Sequence, residues 1–322
     1  MNTQIPQTMR AAVIDKFGSA DVITMQDIIV PAIADDEVLI KVLAAGVGSW
    51  DATEREGKYD GLFGMPSTFP YALGWDGAGV IAAVGADVHD LKEGDKVYAA
   101  SMPLPRGGFY AEYKAVAAEN VAPIPQKMTI EQAAAMPWCA LTALSGLDRL
   151  DLKPSETVMI FGASGGIGHL AVQLAKRMGA KVFAVASGAD GVALATQLGA
   201  DVVIDGLEED IVAAAQQFAP QGIDAALVTM GGKVVDTALE AIRDGGRVAC
   251  PHGVDPLPIT KPNVELRMYD GDTSRSATAR LNSLIESGPF TIHIHKTLPL
   301  EQAVAAHEML ASHYVGKIVL TI

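Results

Sequence analysis

The sequence predicts an α/β protein: a doubly wound parallel sheet preceded by a smaller domain of short β-strands. Three observations support this. From Thr157 to Cys250, short apolar strands alternate with helical patterns. A glycine cluster separates the first of these strands from the first helix. From Arg10 to Ala117 the chain instead offers many short strands punctuated by Gly, Pro and Asp, the texture of a small, irregular β-barrel-like domain.

The stretch Glu156 to Lys176, ETVMIFGASGGIGHLAVQLAK, carries the most chemistry. Thr157 to Phe161 has the length and apolarity of a buried parallel strand. Ile167, Leu170, Ala171, Leu174 and Ala175 then recur at helical spacing. Strand, glycine turn and helix together form the context in which a glycine pattern binds a dinucleotide. Gly165 lets the backbone approach a pyrophosphate, and Gly168 lets the helix lie close on the strand. The free N–H groups and helix dipole then hold the phosphates. The candidate cofactor-binding residues of this turn are Gly162, Ala163, Ser164, Gly165, Gly166, Ile167 and Gly168, with Ala163 where the usual fingerprint has its first glycine. Glycines also serve ordinary turns, but a second strand at Lys181 to Ala186 completes the unit and favours the cofactor reading.

Composition narrows the class. The 322 residues suggest about two domains, and 49% hydrophobic with 19% charged residues describes a globular chain. A formal charge of −14 argues against nucleic acid or an anionic membrane as the main partner. Cys139 and Cys250 have no paired spacing and build neither a disulfide framework nor a zinc site, which fits a reducing compartment. The start, MNTQIPQTMR, reads as a loose polar leader without the apolar core of a signal peptide. A soluble, cytoplasmic protein is expected.

In chain order, strands are expected at Arg10–Asp15, Val22–Val30, Glu37–Ala45, Asp76–Val84, Lys96–Ala100 and Ala111–Ala117. Gly46 to Tyr71 reads as a long functional loop. Thr129 and Gln132 can open a helix as a capping box, and Pro137 should end or kink it. Parallel strands follow at Thr157–Phe161, Lys181–Ala186, Asp201–Ile204, Asp224–Val228 and Gly246–Cys250. Helices fall between them at Ile167–Met178, Gly191–Leu198, Glu208–Phe218 and Lys233–Ile242. Later strands at Val264–Tyr269, Phe290–Leu298 and Lys317–Ile322, with helices at Ser274–Ser287 and Leu300–Leu310, need a host sheet, for which the N-terminal domain is the natural candidate.

These pieces resemble the medium-chain dehydrogenase/reductase superfamily, and within it the zinc-free quinone oxidoreductase branch. The resemblance is carried by MRAAVIDKFG at 9–18, EVLIKVLAAGV at 37–47, LGWDGAGVIAAVG at 73–85, EGDKVYA at 93–99, the glycine turn, GGRVA at 245–249 and GKIVLTI at 316–322. It implies a GroES-like catalytic domain at 1–128, completed by 270–322, and a Rossmann domain inserted between them at 129–269. Zinc members carry a cysteine after the third strand and a Gly-His-Glu further on. Those positions here read Gly46-Val47-Gly48-Ser49-Trp50-Asp51 and Gly74-Trp75-Asp76, so no metal is expected. The branch usually has asparagine where Gly48 stands.

Asp51, Arg55 and Tyr59 match the family's loop pattern near the nicotinamide. Two readings fit Tyr59: a hydrogen-bond donor to a carbonyl oxygen, or an aromatic wall with its hydroxyl in water. Asp51 can serve a proton relay or cap loop N–H groups. Trp50, Phe63 and Trp75 can line a substrate or simply fill the core. Thr142 stands where the family places a threonine at the nicotinamide edge, and Gly253 and Lys317 complete the expected cofactor contacts. The second Rossmann strand ends in Ala186-Ser187-Gly188-Ala189 with no ribose-binding acid, and Asp190 reads as the N-cap of the next helix. That favours NADP(H), held at Ser187, although the lysine and tyrosine of related NADPH enzymes would fall at Gly191 and Gly206. His293 and His295 alternate on an expected strand without a third ligand. The expected function is zinc-independent, NADPH-dependent reduction of a quinone or another α,β-unsaturated carbonyl, with the cofactor between the domains. Enoyl or 2-alkenal reduction, or a non-catalytic nucleotide sensor, stand as alternatives. A homodimer paired through Val264–Tyr269 is expected.

Overall fold

The computed structural model describes residues 5–64, 66–104 and 106–322, apart from the side chain of Phe63. The first four residues of the expected leader and the expected aromatic role of Phe63 therefore lie outside what is described. The chain forms two compact units, Met1–Trp138 with Thr273–Asn282 and Ile294–Ile322, and Cys139–Asp272 with Ser283–His293.

The first unit is built on the strand Glu37–Val47, whose sequence EVLIKVLAAGV is buried along almost its whole length. Such a run needs cover on both faces. It lies within a seven-stranded sheet, flanked by Lys317–Thr321 and Asp76–Val84 and also paired with Tyr113–Ala117. The last strand of the chain thus completes the first unit, with Ile318 opposite Val47 and Leu320 opposite Ala45. A smaller sheet joins Thr8–Ile14 to Ile23–Ile29 and Tyr71–Ala72. Ile14, Ile40, Leu73, Ile81, Phe109, Ile318 and Leu320 share one core. Gly77 is a required glycine there, because a Cβ would run into the Phe109 ring.

Thr129 and Gln132 form the expected capping box: each side chain accepts from the other's backbone N–H, at 3.1 and 3.2 Å. The helix they open, Ile130–Ala135, packs on Glu37–Val47 and Asp76–Val84. The unit boundary therefore follows Trp138, ten residues beyond position 128. The first helix ends before Pro137, as expected, and Pro137 opens the second, Pro137–Arg149. The first position of a helix has no use for the N–H that proline lacks.

The second unit is a six-stranded parallel sheet in the order Val202–Asp205, Lys181–Ala186, Thr157–Phe161, Ile223–Val228, Ile242–Pro251, Glu265–Tyr269. This is the doubly wound Rossmann order, with the first strand beside the switch point where ligands bind. Met159, Phe183, Val185, Ala226 and Val248 fill its core, and the rings of Phe183 and Phe218 lie 5.7 Å apart.

Four local expectations are corrected. The segment after Val47 is not all loop: Ser49–Arg55 is a helix, followed by a 3-10 turn at Leu62–Gly64. The helix expected to run to Ile242 stops at Leu239, because Ile242 already pairs with Ile223 in the sheet. The helix after the second Rossmann strand begins at Gly188, so Ser187 and not Asp190 is its N-cap residue. The strand expected from Phe290 begins only at Ile294. Upstream, the Thr291 N–H and carbonyl bond the Gln173 side chain at 2.8 and 2.9 Å, and the His293 N–H approaches His169 Nε2. His293 therefore shares no strand with His295. Among the described residues, no helix is long and apolar enough to cross a membrane.

Candidate active site

The glycine turn lies at the C-terminal end of the first parallel strand. Gly162 has φ +82° and its N–H, like that of Ala163, bonds the Val185 carbonyl at the end of the neighbouring strand. The Gly165 N–H returns to the Gly162 carbonyl at 3.0 Å, and the helix Gly168–Arg177 follows with Ile167 as its N-cap residue. The glycines differ in why they are needed. A Cβ on Gly168 would strike the Gly162 carbonyl, so the fold itself requires glycine there. A Cβ on Gly165 would meet that oxygen at 3.4 Å, an ordinary contact. The space above Gly165 is thus open and half-exposed, as are Gly166 and Ile167, beside the free N–H groups of a helix start. Ser164 and Ala163 are buried beneath them.

Ser187 is half-buried at the end of the second strand, and its hydroxyl does not cap the helix that follows. Asp190 accepts from the Gly191 N–H at 2.8 Å, within the first turn. The small residues at 191 and 206 have steric causes. A Cβ on Gly191 would lie 2.9 Å from Ser164, and one on Gly206 2.7 Å from Val185. Gly253, at φ +89°, forms an exposed turn after the strand Ile242–Pro251, with open space where a Cβ would stand. Thr142 is buried in Pro137–Arg149, and Gly271 packs so closely that a Cβ there would sit 3.0 Å from its hydroxyl.

In the first unit, the helix Ser49–Arg55 turns a charged face inward: Asp51, Glu54 and Arg55 are all buried. Asp51 Oδ2 accepts from the Gly48 N–H at 2.7 Å, satisfying a helix-start donor. Burial pushes this carboxyl well above its usual range, with Asp76 and Glu54 adding to the effect. Asp76 is likewise raised to about 7 by burial, against the pull of Lys317, and accepts from the Trp138 N–H at 2.6 Å. Arg55 donates to His307 Nδ1 at 2.9 Å, and burial followed by the Arg55 charge drives that imidazole down to about 3. His307 is therefore neutral, with its proton on Nε2.

Lys317 is only 2% exposed. Its Nζ lies 3.9 Å from Asp76 Oδ2 and 4.7 Å from the centre of the Trp50 ring, a cation–π contact. Trp50 in turn folds over Gly48, where any Cβ would meet the indole. Tyr59 is half-buried, and burial, then Glu54 and Asp51, raise its hydroxyl above the usual value. Its ring lies 5.6 Å from Trp75, which is itself 4.7 Å from Trp138. Glu54 and Trp138 went unnoticed in the sequence. The signal for Glu54, an inward i, i+3, i+4 set at 51, 54 and 55, emerges only once the segment is read as a helix.

Two family models match, one described as the alcohol dehydrogenase GroES-like domain over residues 34–126, the other as zinc-binding dehydrogenase over 166–260. The chain is 33% identical to an NADPH-dependent alkenal/one oxidoreductase, chloroplastic, from Arabidopsis thaliana, covering 99% of this chain and 81% of that protein. It is 33% identical to the quinone oxidoreductase of Sus scrofa, with 93% of each chain covered. The chain belongs to the quinone oxidoreductase-like branch of the medium-chain dehydrogenase/reductase superfamily. A mycobacterial protein solved in complex with NADPH superposes with a TM-score of 0.84 at 28% identity, over 98% of this chain and 100% of that one. In the stretches 46–51 and 74–76, where the resemblance places the cysteine and the Gly-His-Glu of zinc members, neither cysteine nor histidine stands. Among the described residues, no group of three His, Cys, Asp or Glu side chains could hold a metal ion.

The contrast between Gly165 and Gly168 is testable. Gly168→Val should lower stability by about 3 kcal/mol or more, through overpacking against backbone. Gly165→Val should unfold in urea close to wild type yet lose dinucleotide binding in a fluorescence titration. Normal binding by a folded Gly165→Val protein would remove the turn from the cofactor site.

Proposed function

We propose that this chain is a zinc-independent, NADPH-dependent oxidoreductase that reduces a quinone or another α,β-unsaturated carbonyl. The observation that carries the reading is the glycine turn, with room for a ligand above Gly165 and none for a side chain at Gly168. The relatives support the chemistry: one is named for NADPH-dependent reduction of alkenals and enones, the other for quinone reduction.

In this reading the turn Gly162 to Gly168 holds the phosphates through backbone N–H groups and the helix dipole. Ser187 offers a hydroxyl to the 2′-phosphate, with no carboxylate at the strand end to repel it. Thr142 and the Gly253 turn are assigned to the nicotinamide end. Bound NADPH supplies the hydride, and the protein supplies position and electrostatics. Tyr59 keeps its proton and donates a hydrogen bond to the acceptor oxygen as negative charge develops there. Trp75 and Trp138 extend the apolar aromatic face beside it. An enone or quinone is already electrophilic, so no Lewis acid is required. Asp51 holds the start of its helix, and Lys317, expected from the resemblance to contact the cofactor, sets its ammonium over the Trp50 ring. The dimer is assigned to Glu265–Tyr269, an edge strand with half-buried Leu266 and Met268. An unpaired apolar edge of this kind invites a symmetric partner.

Steady-state oxidation of NADPH with a panel of quinones and enones tests the activity, which should survive treatment with a chelator. Tight NADPH binding without turnover of any acceptor would instead indicate a sensor.

For cofactor choice, a hydrogen bond to a charged group is worth about 1.5–3 kcal/mol, or roughly 10- to 150-fold in affinity. Wild type should prefer NADPH within that range, and Ser187→Asp should reverse the preference in kcat/KM. An unchanged ratio would place recognition of the 2′-position elsewhere.

Light scattering at micromolar protein should give twice the 33.6 kDa chain mass. A monomer would refute the dimer.

A further inference from the structure

The inward face of the helix Ser49–Arg55 carries a carboxyl that the proposed reaction does not use. Glu54 is 2% exposed, and its Oε2 accepts a hydrogen bond from the Trp75 indole N–H. Trp75, itself 6% exposed, stands between Tyr59 and Trp138, with ring centres 5.6 and 4.7 Å away and interplanar angles of 56° and 83°. Both flanking rings are half-buried. Trp75 is thus the fixed centre of the group, and its single N–H donor sets the direction in which the indole faces.

We propose that Glu54 is a positioning residue of the acceptor site: through Trp75 it orients the Tyr59–Trp75–Trp138 face against which the unsaturated carbonyl lies. This rests on the reading of the chain as a quinone or enone reductase.

The surroundings of Glu54 make its charge conditional. Lys114, on Tyr113–Ala117, is its cationic neighbour, but that ammonium is buried and bonded to the carbonyls of Met102 and Gly107. Burial lowers Lys114 to about 8, a cost its attraction to the acids only partly offsets. The other groups whose ionisation Glu54 feels or affects are Asp51 on its own helix and the phenols of Tyr59, Tyr71 and Tyr110. Burial dominates, and the Glu54 carboxyl rises to about 7. It is neutral below that pH and ionised above it. Once ionised, it raises the Tyr59 hydroxyl further, so Tyr59 becomes a weaker donor to the acceptor oxygen. Reduction should therefore slow as pH rises through about 7.

Glu54→Gln keeps an oxygen for the Trp75 N–H and mimics the neutral acid at every pH. In wild type, kcat/KM for an enone or a quinone should fall roughly five- to tenfold as pH rises through this range, the size expected of one nearby charge. In Glu54→Gln most of that fall should vanish, leaving only the step contributed by Asp76, which also changes charge at about 7. Tryptophan emission of the free protein should titrate with the same midpoint in wild type, and in the variant only the smaller step from Asp76, which accepts from the Trp138 N–H, should remain. Trp75→Phe, which keeps a ring but loses the donor, should raise KM about fivefold or more with kcat little changed, because the face that holds the acceptor in ground and transition state alike loses its orientation. An undiminished pH step in Glu54→Gln, or an unchanged KM in Trp75→Phe, would overturn the role of Glu54 while leaving the proposed function standing. No turnover by wild type at any pH would instead overturn the function itself, and this proposal with it.

Discussion

The antiparallel pairing of the chain's last strand with Glu37–Val47 is the constraint on which the first unit depends. It places residues more than 270 positions apart side by side, with Ile318 opposite Val47 and Thr321 opposite Ala44. Glu37–Val47 is apolar along both faces and would be left with an open edge without that partner. The same pairing sets Lys317 beside the segment that begins at Gly48, and so places a cation next to Asp76 and over the Trp50 ring. A sheet contact made for packing thereby supplies the charge beneath the candidate site.

That charge does not hold the neighbouring acids in their usual range. Asp51, Glu54 and Asp76 are all buried, and burial raises each carboxyl even where Lys317 or Lys114 opposes it. Desolvation of a carboxylate exceeds what one imperfectly placed ammonium returns. Each acid instead takes a directed hydrogen bond: Asp51 from the Gly48 N–H, Glu54 from Trp75, Asp76 from the Trp138 N–H. These bonds hold a helix start, an indole and a further aromatic residue in place. The site's rigidity is thus bought with acids near neutrality, two of which change charge at about 7.

In the second unit, sterics play the equivalent part. Gly168 lets the helix reach the turn, Gly191 lets the next helix reach Ser164, and Gly206 leaves room for Val185. The basic and aromatic contacts that related NADPH enzymes aim at the 2′-phosphate would have to grow from two of these crowded positions. Ser187 stands at that strand end as a half-buried polar group.

The parallel sheet, its glycine turn and the capping box at Thr129 were legible in the sequence because each is local: strand length, helical period and cap chemistry lie within a few residues. The family was legible because its motifs recur in order along the chain. The helix Ser49–Arg55 was not, since Gly46, Gly48 and Gly57 around it read as loop and its inward residues are charged. Nor was the segment at Thr291, whose backbone bonds go to a side chain 118 residues away instead of to a strand. Sequence alone determined the strands of the parallel sheet and the glycine turn. Only the tertiary structure decided that Lys317 lies buried over Trp50, that Trp50 takes the space above Gly48, and that Glu54 meets Trp75. Burial and hydrogen bonding between distant segments set these relations, and residue spacing along the chain carries no record of them.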